Sequence, residues 1–237
     1  IPVILAVWFM SYVERFAIKI SPKAVKFFLV LMITTLITAI VTLLILGPIG
    51  AVIGNWLGDF FKWLENFGPW VVPTIVGATF PLMVTTGTHY GLVSIGINNR
   101  MTIGYDTIAQ PGALASNVAQ GGATLAAMFC AKDKKMKSIA VSSGISALLG
   151  ITEPAMFGVN LKMKYPFYAA MFGSAVGCAY VTLTNVQNIS PGAAGIIGFV
   201  CIKSGGMLNY MIGILISLVV GFVVTMALSK HPKFKEV

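Results

Sequence analysis

Glu153 is the only ionisable residue between Lys137 and Lys162, in the stretch SIAVSSGISALLGITEPAMFGVNL. A carboxylate in such apolar surroundings costs several kcal/mol unless it is paired, hydrated or given something to hold, which marks it as a functional acid. Pro154 disfavours helical geometry at Glu153 and frees backbone groups there, and Thr152 adds a hydroxyl. Asn160, with an amide that both donates and accepts, suits the hydroxyls of a polyol. A second isolated polar group is His89 in TTGTHYG, flanked by glycines that permit close approach of a ligand or another backbone. The other histidine, His231, lies in the C-terminal tail. Between these two regions the run INNRMTIGYDTIAQPG carries Asn98, Asn99, Arg100 and Asp106. This run is either a polar connection or, through Asp106 and Arg100, a buried ion pair shaping a cavity. Thr85, Thr86 and Thr88 are expected to bond back within their own helix. Together the residue types suit hydrogen-bonding recognition of a neutral polar ligand. They do not suit metal or nucleotide chemistry, for there is no zinc motif, P-loop or dinucleotide fingerprint. Cys130, Cys178 and Cys201 lie far apart in apolar stretches and are expected to be small core hydrophobes.

The elements that position these groups belong in a bilayer. The chain is 57% hydrophobic and 10% charged over 237 residues, with a mean hydropathy of +0.89. Soluble domains carry roughly 25% charged residues. The net charge of +9 does not describe a nucleic-acid-binding face, because thirteen of the sixteen basic residues fall in four short breaks between apolar runs. These are Arg15, Lys19, Lys23 and Lys26; Lys132, Lys134, Lys135 and Lys137; Lys162 and Lys164; and Lys230, Lys233 and Lys235. Such clustering is the positive-inside pattern, so the clusters and the C-terminus are expected on the cytoplasmic side. The opening IPVILAVW does not read as a signal peptide and is expected to lie inside a helix preceded by further residues.

Parity then fixes what must be irregular. Residues 27–46 are long enough to lead outward, and 166–186 and 207–229 form an outward and a returning pass, with 188–206 outside. Residues 49–70 place Trp56, Phe60, Trp63, Leu64 and Phe67 at helical spacing with Asp59, Lys62 and Glu65 between, an amphipathic helix at the outer interface. Residues 138–161 lie between two basic clusters and number only 24, whereas two helical crossings of about 30 Å need around 40. A re-entrant hairpin with its tip near GITEP is therefore expected, a geometry tolerated only where it is buried or lines a watery cavity. Of the segments 71–97 and 112–131, one must also be broken. Pro73, Pro81, Gly77, Gly87, Gly91 and Gly96 point to the first. The expected architecture is an all-α integral membrane bundle with broken helices and re-entrant hairpins. Its divisions are 1–26 (the end of a preceding helix and a basic linker), 27–229 (the membrane region) and 230–237 (a cytoplasmic tail).

GITEPAMFGVNLKMKYPF (150–167) resembles the signature of the EIIC membrane components of the sugar phosphotransferase system, in their glucose/sucrose/β-glucoside superfamily. TGTHYG (86–91), INN with GYDT (97–107), SNVAQGGATLA (116–126), KDKKMK (132–137) and YVERF (12–16) support it across essentially the whole chain. INN followed by GYDT looks most like the β-glucoside branch. The alignment is with the C-terminal half of an EIIC domain, the half that carries the sugar site. The resemblance implies Glu153 and His89 as the catalytic pair contacting the sugar near its C6 hydroxyl. Thr152 and Asn160 are implied as further contacts, and Asn98 and Asp106 join them as candidates from the polar run. It implies no cofactor or metal. It implies a phosphocysteine donor on an EIIB domain, fed by EIIA and HPr, a homodimer in the full carrier, and the bacterial plasma membrane. None of the three cysteines lies in a donor motif, so the phosphoryl group is expected from another domain or chain. An ion-coupled secondary sugar transporter is the alternative, since it too would use broken helices and a membrane carboxylate. A structural or receptor-like membrane module without a transport cycle would leave His89 and Glu153 dispensable.

Overall fold

The computed structural model describes residues 2–23, 25–49, 52, 56, 63–64, 66–68, 70–192 and 195–234. The interfacial helix expected over 49–70 lies largely outside the described residues. The described residues are helices, turns and isolated bridges, an all-α architecture. They divide into two compact units, one within residues 1–64 and one within 65–237.

In the first unit α1 (Pro2–Ile20) packs on α2 (Lys26–Val41), which continues through a π-helical turn, Thr42–Leu46. Uniformly apolar residues keep α2 helical, and Lys26–Ile49 is long and apolar enough to cross a membrane.

The second unit contains α3 (Val71–Thr85), α4 (His89–Ile103), α5 (Ala109–Cys130) and α6 (Lys134–Leu148). The next helix, α7, starts as Glu153–Ala155, widens into a π-helical turn at Met156–Asn160 and ends as Leu161–Met163. Helices α8 (Tyr165–Leu183) and α9 (Met207–Ser229) follow. Between them Gly195–Cys201 and Ser204–Gly206 form short 3-10 turns. Tyr165–Leu183 and Ser204–Ser229 are also long and apolar enough to span. At 22 residues α5 is long enough too, but Ser116, Asn117, Gln120 and Thr124 make it a polar helix, and it does not meet that measure of apolarity.

Helix α5 is the centre of this unit, in contact with α3, α4, α6, α7, α8 and α9, and almost every residue from Ala109 to Ala127 is buried. Small residues make the close packing possible. A Cβ on Gly173 of α8 would come within 2.8 Å of the α9 backbone at Gly221, and Gly177 faces Ser217 and Gly213. In hydrocarbon such small-residue ridges supply the van der Waals contact that the hydrophobic effect cannot.

Segment 71–97 is broken, as expected, but not at its prolines. Pro73 sits in the first turn of α3, where no intrahelical N–H is needed, and the helix runs on through Pro81. The interruption is at Thr86–Thr88, where Gly87 has φ +72°. Segment 112–131 is continuous helix up to Cys130, the last residue of α5. The hairpin expected over 138–161 is a helix–turn–helix whose first arm begins earlier, at Lys134, because Asp133 accepts from the Lys135 and Met136 N–H groups and caps α6 there. Fifteen residues make α6 about 22 Å long, short of the hydrocarbon thickness.

Candidate functional site

The Glu153 hairpin is closed by backbone geometry. Gly150 has φ +102°, its N–H donates to Ala147 O (2.9 Å), and the Ile151 N–H donates to Ser146 O (3.0 Å). This is a Schellman ending, which needs a left-handed residue and finds glycine there. Thr152 O then accepts from the Met156 N–H (2.8 Å), starting α7 with Glu153 in its first turn. The tip is covered from the 187–206 loop: Gly195 lies so close that a Cβ on it would run into the Leu148 carbonyl. Tyr210, wholly buried, holds that glycine by donating to Gly195 O at 2.8 Å. At the other end both arms meet, as Ala131, Lys132, Asp133 and Met136 line one cleft of about 220 Å³ with Lys162 and Met163. Two basic clusters thus share the hairpin base.

Along α7, Met156, Val159, Asn160 and Met163 are buried. Val159 and Met163 pack with Ala127 of α5, Ala131 just after it and Ala140 of α6. Glu153 is exposed, and its carboxylate takes no hydrogen bond or ion pair from any described residue. Thr152 is buried beside it. Asn160 is wholly buried with its amide against Thr124 Oγ1 at 2.8 Å.

His89 opens α4 immediately after the break. Its half-buried ring makes an edge contact with Phe80 (5.9 Å between centroids) and a tilted one with Tyr90 (4.2 Å), while Nδ1 is buried without a partner. The threonines of the break do bond back: Thr85 to Leu82 O, and Thr86 and Thr88 to Met83 O. Among the described residues no hydrogen bond, ion pair or ring contact joins His89 to Glu153.

The polar run forms a separate, closed cluster. Asp106 is completely buried. Its oxygens accept from Asn99 Nδ2 (3.1 Å) and from the backbone N–H groups of Ile108 (3.1 Å), Ala109 (3.3 Å) and Gln110 (2.7 Å). Arg100 lies 3.8 Å away and donates to Asn188 Oδ1 at 2.8 Å. Asn188 also pairs its backbone with Asp106 in both directions. This carboxylate is fully used in anchoring the start of α5, the opposite situation from Glu153. Asn98 stays exposed, its carbonyl accepting from the Thr102 hydroxyl. Asn188 has no local sequence signal, because its partner lies 88 residues away. Gln120 and Thr124 carry a faint one: with Asn117 they stand at i, i+3 and i+7 on one face of α5.

A cavity of about 250 Å³ beside α9 is lined by Val118, Ile196, Met211, Ile214, Leu215 and Leu218. Its apolar walls offer nothing to a hydroxyl-rich ligand. The three cysteines are unpaired, and Cys178 donates to Pro73 O at 2.9 Å, tying α8 to α3.

Residues 1–174 match the family model "Phosphotransferase system, EIIC". The sucrose-specific EIIBC component of Pasteurella multocida (strain Pm70) is 37% identical over 237 residues, 99% of this chain and 50% of that protein. That of Salmonella typhimurium is 38% identical over 229 residues, 96% of this chain and 50% of that protein. The β-glucoside-specific EIIBCA component of Bacillus subtilis (strain 168) is 36% identical over 222 residues, 93% of this chain and 36% of that protein. The chain therefore spans about half the length, or less, of these relatives. No solved structure matches it.

Proposed function

The chain belongs to the phosphotransferase system EIIC family, and from that premise we propose that it binds a glucosyl sugar and carries it across the membrane for phosphorylation at C6. The observation that carries this reading is the unclaimed carboxylate of Glu153, held at the tip of a backbone-locked hairpin. A membrane acid with no internal partner is retained for something it binds. The hairpin enters from the cytoplasmic side and turns back: its arms are too short to cross, its basic ends share one cleft, and its tip touches the 187–206 loop.

In the transport cycle Glu153 accepts hydrogen bonds from the sugar, and His89 offers its buried Nδ1 as a second polar contact. Thr152 shapes the floor and Asn160 backs it from the buried face of α7, with Asn98 at the rim, while Asp106 fixes the helix ends around them. On the cytoplasmic side Glu153 orients the C6 hydroxyl and takes its proton as the oxygen attacks the phosphoryl group of an EIIB phosphocysteine. The S–P bond breaks, the thiolate leaves, and the sugar phosphate is trapped. Catalysis is positioning and charge stabilisation. The EIIB domain, loaded through EIIA and HPr, belongs to another part of the carrier or another chain, and the carrier works as a homodimer in the plasma membrane with its basic loops cytoplasmic. The substrate is a β-glucoside or sucrose, since INN with GYDT resembles the β-glucoside branch and the relatives' names include both sugars.

In vesicles containing the full carrier, PEP-dependent phosphorylation is measured on sucrose, arbutin, salicin, cellobiose, trehalose and maltose. Glu153→Gln is expected to lower phosphorylation by about a hundredfold, the scale of a misplaced or missing reacting group. Wild-type uptake and phosphorylation in that variant would refute the assignment. Accumulation of unmodified sugar that collapses with the ion gradient would instead show secondary transport.

A further inference from the structure

Resting on the reading of Glu153 as the sugar-binding acid, we propose that the π-helical turn Met156–Asn160, clamped to α5 by Thr124, is the device that presents Glu153 to the sugar. Thr124 is then a positioning residue. In an uninterrupted α-helix residues seven apart lie about 20° apart around the axis, so Glu153 and Asn160 would share one face. Asn160 is wholly buried against α5, and that face is closed. The π turn, marked by the Leu161 N–H donating to Met156 O five residues back, holds one extra residue. One residue is worth roughly 100° of rotation, so everything before the turn swings by about a quarter of a circle relative to Asn160. Glu153 comes out exposed while Asn160 stays buried, which is the observed pattern.

An offset of this kind is useful only if the far end cannot rotate. Thr124 Oγ1 lies 2.7 Å from Gln120 O and 2.8 Å from Asn160 Oδ1. A hydroxyl has one proton and cannot serve both acceptors fully. With the Asn160 amide turned over, Nδ2 donates to Thr124 Oγ1 and the hydroxyl donates to Gln120 O, which also relieves the otherwise unpartnered Nδ2. Gln120 Nε2 reaches Ser116 Oγ at 3.3 Å and continues the polar face along α5. Met156, Val159 and Met163 would allow α7 to slide or roll on an apolar surface, whereas the single directional bond at Asn160 fixes its rotation.

The test compares Thr124→Val, Thr124→Ser and Glu153→Gln in vesicles carrying the chain with its EIIB partner. Sucrose and arbutin are the probes, and rates are expressed per folded carrier, quantified by monodisperse detergent-extracted protein. Thr124→Val, which keeps the side chain's shape, is expected to lower kcat about tenfold with KM changed less than threefold. Thr124→Ser restores the hydroxyl and returns kcat to within twofold. A merely structural role would change the amount of folded carrier and leave kcat per carrier intact. If Thr124→Val does not accumulate, Thr124→Ala takes its place in the same comparison. The inference is overturned by wild-type kcat in Thr124→Val or Thr124→Ala, or by a Thr124→Ser as defective as either. A dead Glu153→Gln beside a normal Thr124→Val removes the positioning role and leaves Glu153 standing. An active Glu153→Gln removes both.

Discussion

Two helix breaks each deliver one ionisable residue as the first residue of a new helix, His89 after Thr86–Thr88 and Glu153 after Leu149–Thr152. They are built in opposite ways. The Glu153 break is a hairpin whose arms pack along each other, with a Schellman ending, a covered tip and a clamp at Asn160. The His89 break joins two helices that barely touch, and α4 leaves Tyr90, Val93, Ile95, Ile97, Met101 and Ile103 exposed. Its fixation comes from the far end, where Arg100, Asp106 and Asn188 tie it down. The same outcome, a polar group at a helix start inside an apolar chain, is reached by local locking in one case and by remote anchoring in the other.

Deleting Gly158 should break the comparison most forcefully. Loss of one residue turns the π turn back into α-helix and rotates Glu153 by about 100° toward α5. Phosphorylation per folded carrier is expected to fall at least about a hundredfold. Retained activity would mean that the register of this arm does not matter. Next in size is Asp106→Ala, which leaves the N-terminus of α5 without its acceptor and Arg100 without its counter-charge. A loss of roughly 3 kcal/mol, the scale of a broken buried pair, is expected as a lowered Tm in detergent. An unchanged Tm would show that the remote anchor does not hold α4. The smallest effect belongs to Gly87→Ala. Its φ of +72° costs an alanine about 1–2 kcal/mol, but nothing lies within 4 Å of the added Cβ. A penalty well above that range would show the His89 break to be packed as tightly as the other.

Much of this is legible in the sequence. Two basic clusters 24 residues apart forced a hairpin with its tip at GITEP, because chain length limits what a helix can span, and the turn falls at 149–152. The prolines and glycines of 71–97 together announce a break without placing it; it falls at Gly87, since a first-turn proline costs nothing and Pro81 is absorbed. A buried pair of Asp106 with Arg100 is one of the two readings the polar run offers; its saturation by three backbone donors is not legible there, because that depends on where α5 begins. The π turn was invisible, as MFGVN carries no composition signal for one extra residue.

The contact between Gly195 and the hairpin tip has a further consequence. It is a seam of main chain against main chain, with no side chain at its centre on either face. On the proposed reading, substitutions among the side chains that meet the sugar leave such a seam shut, so the range of sugars can drift without unsealing the hairpin tip. Only a change at the glycine itself pries it apart.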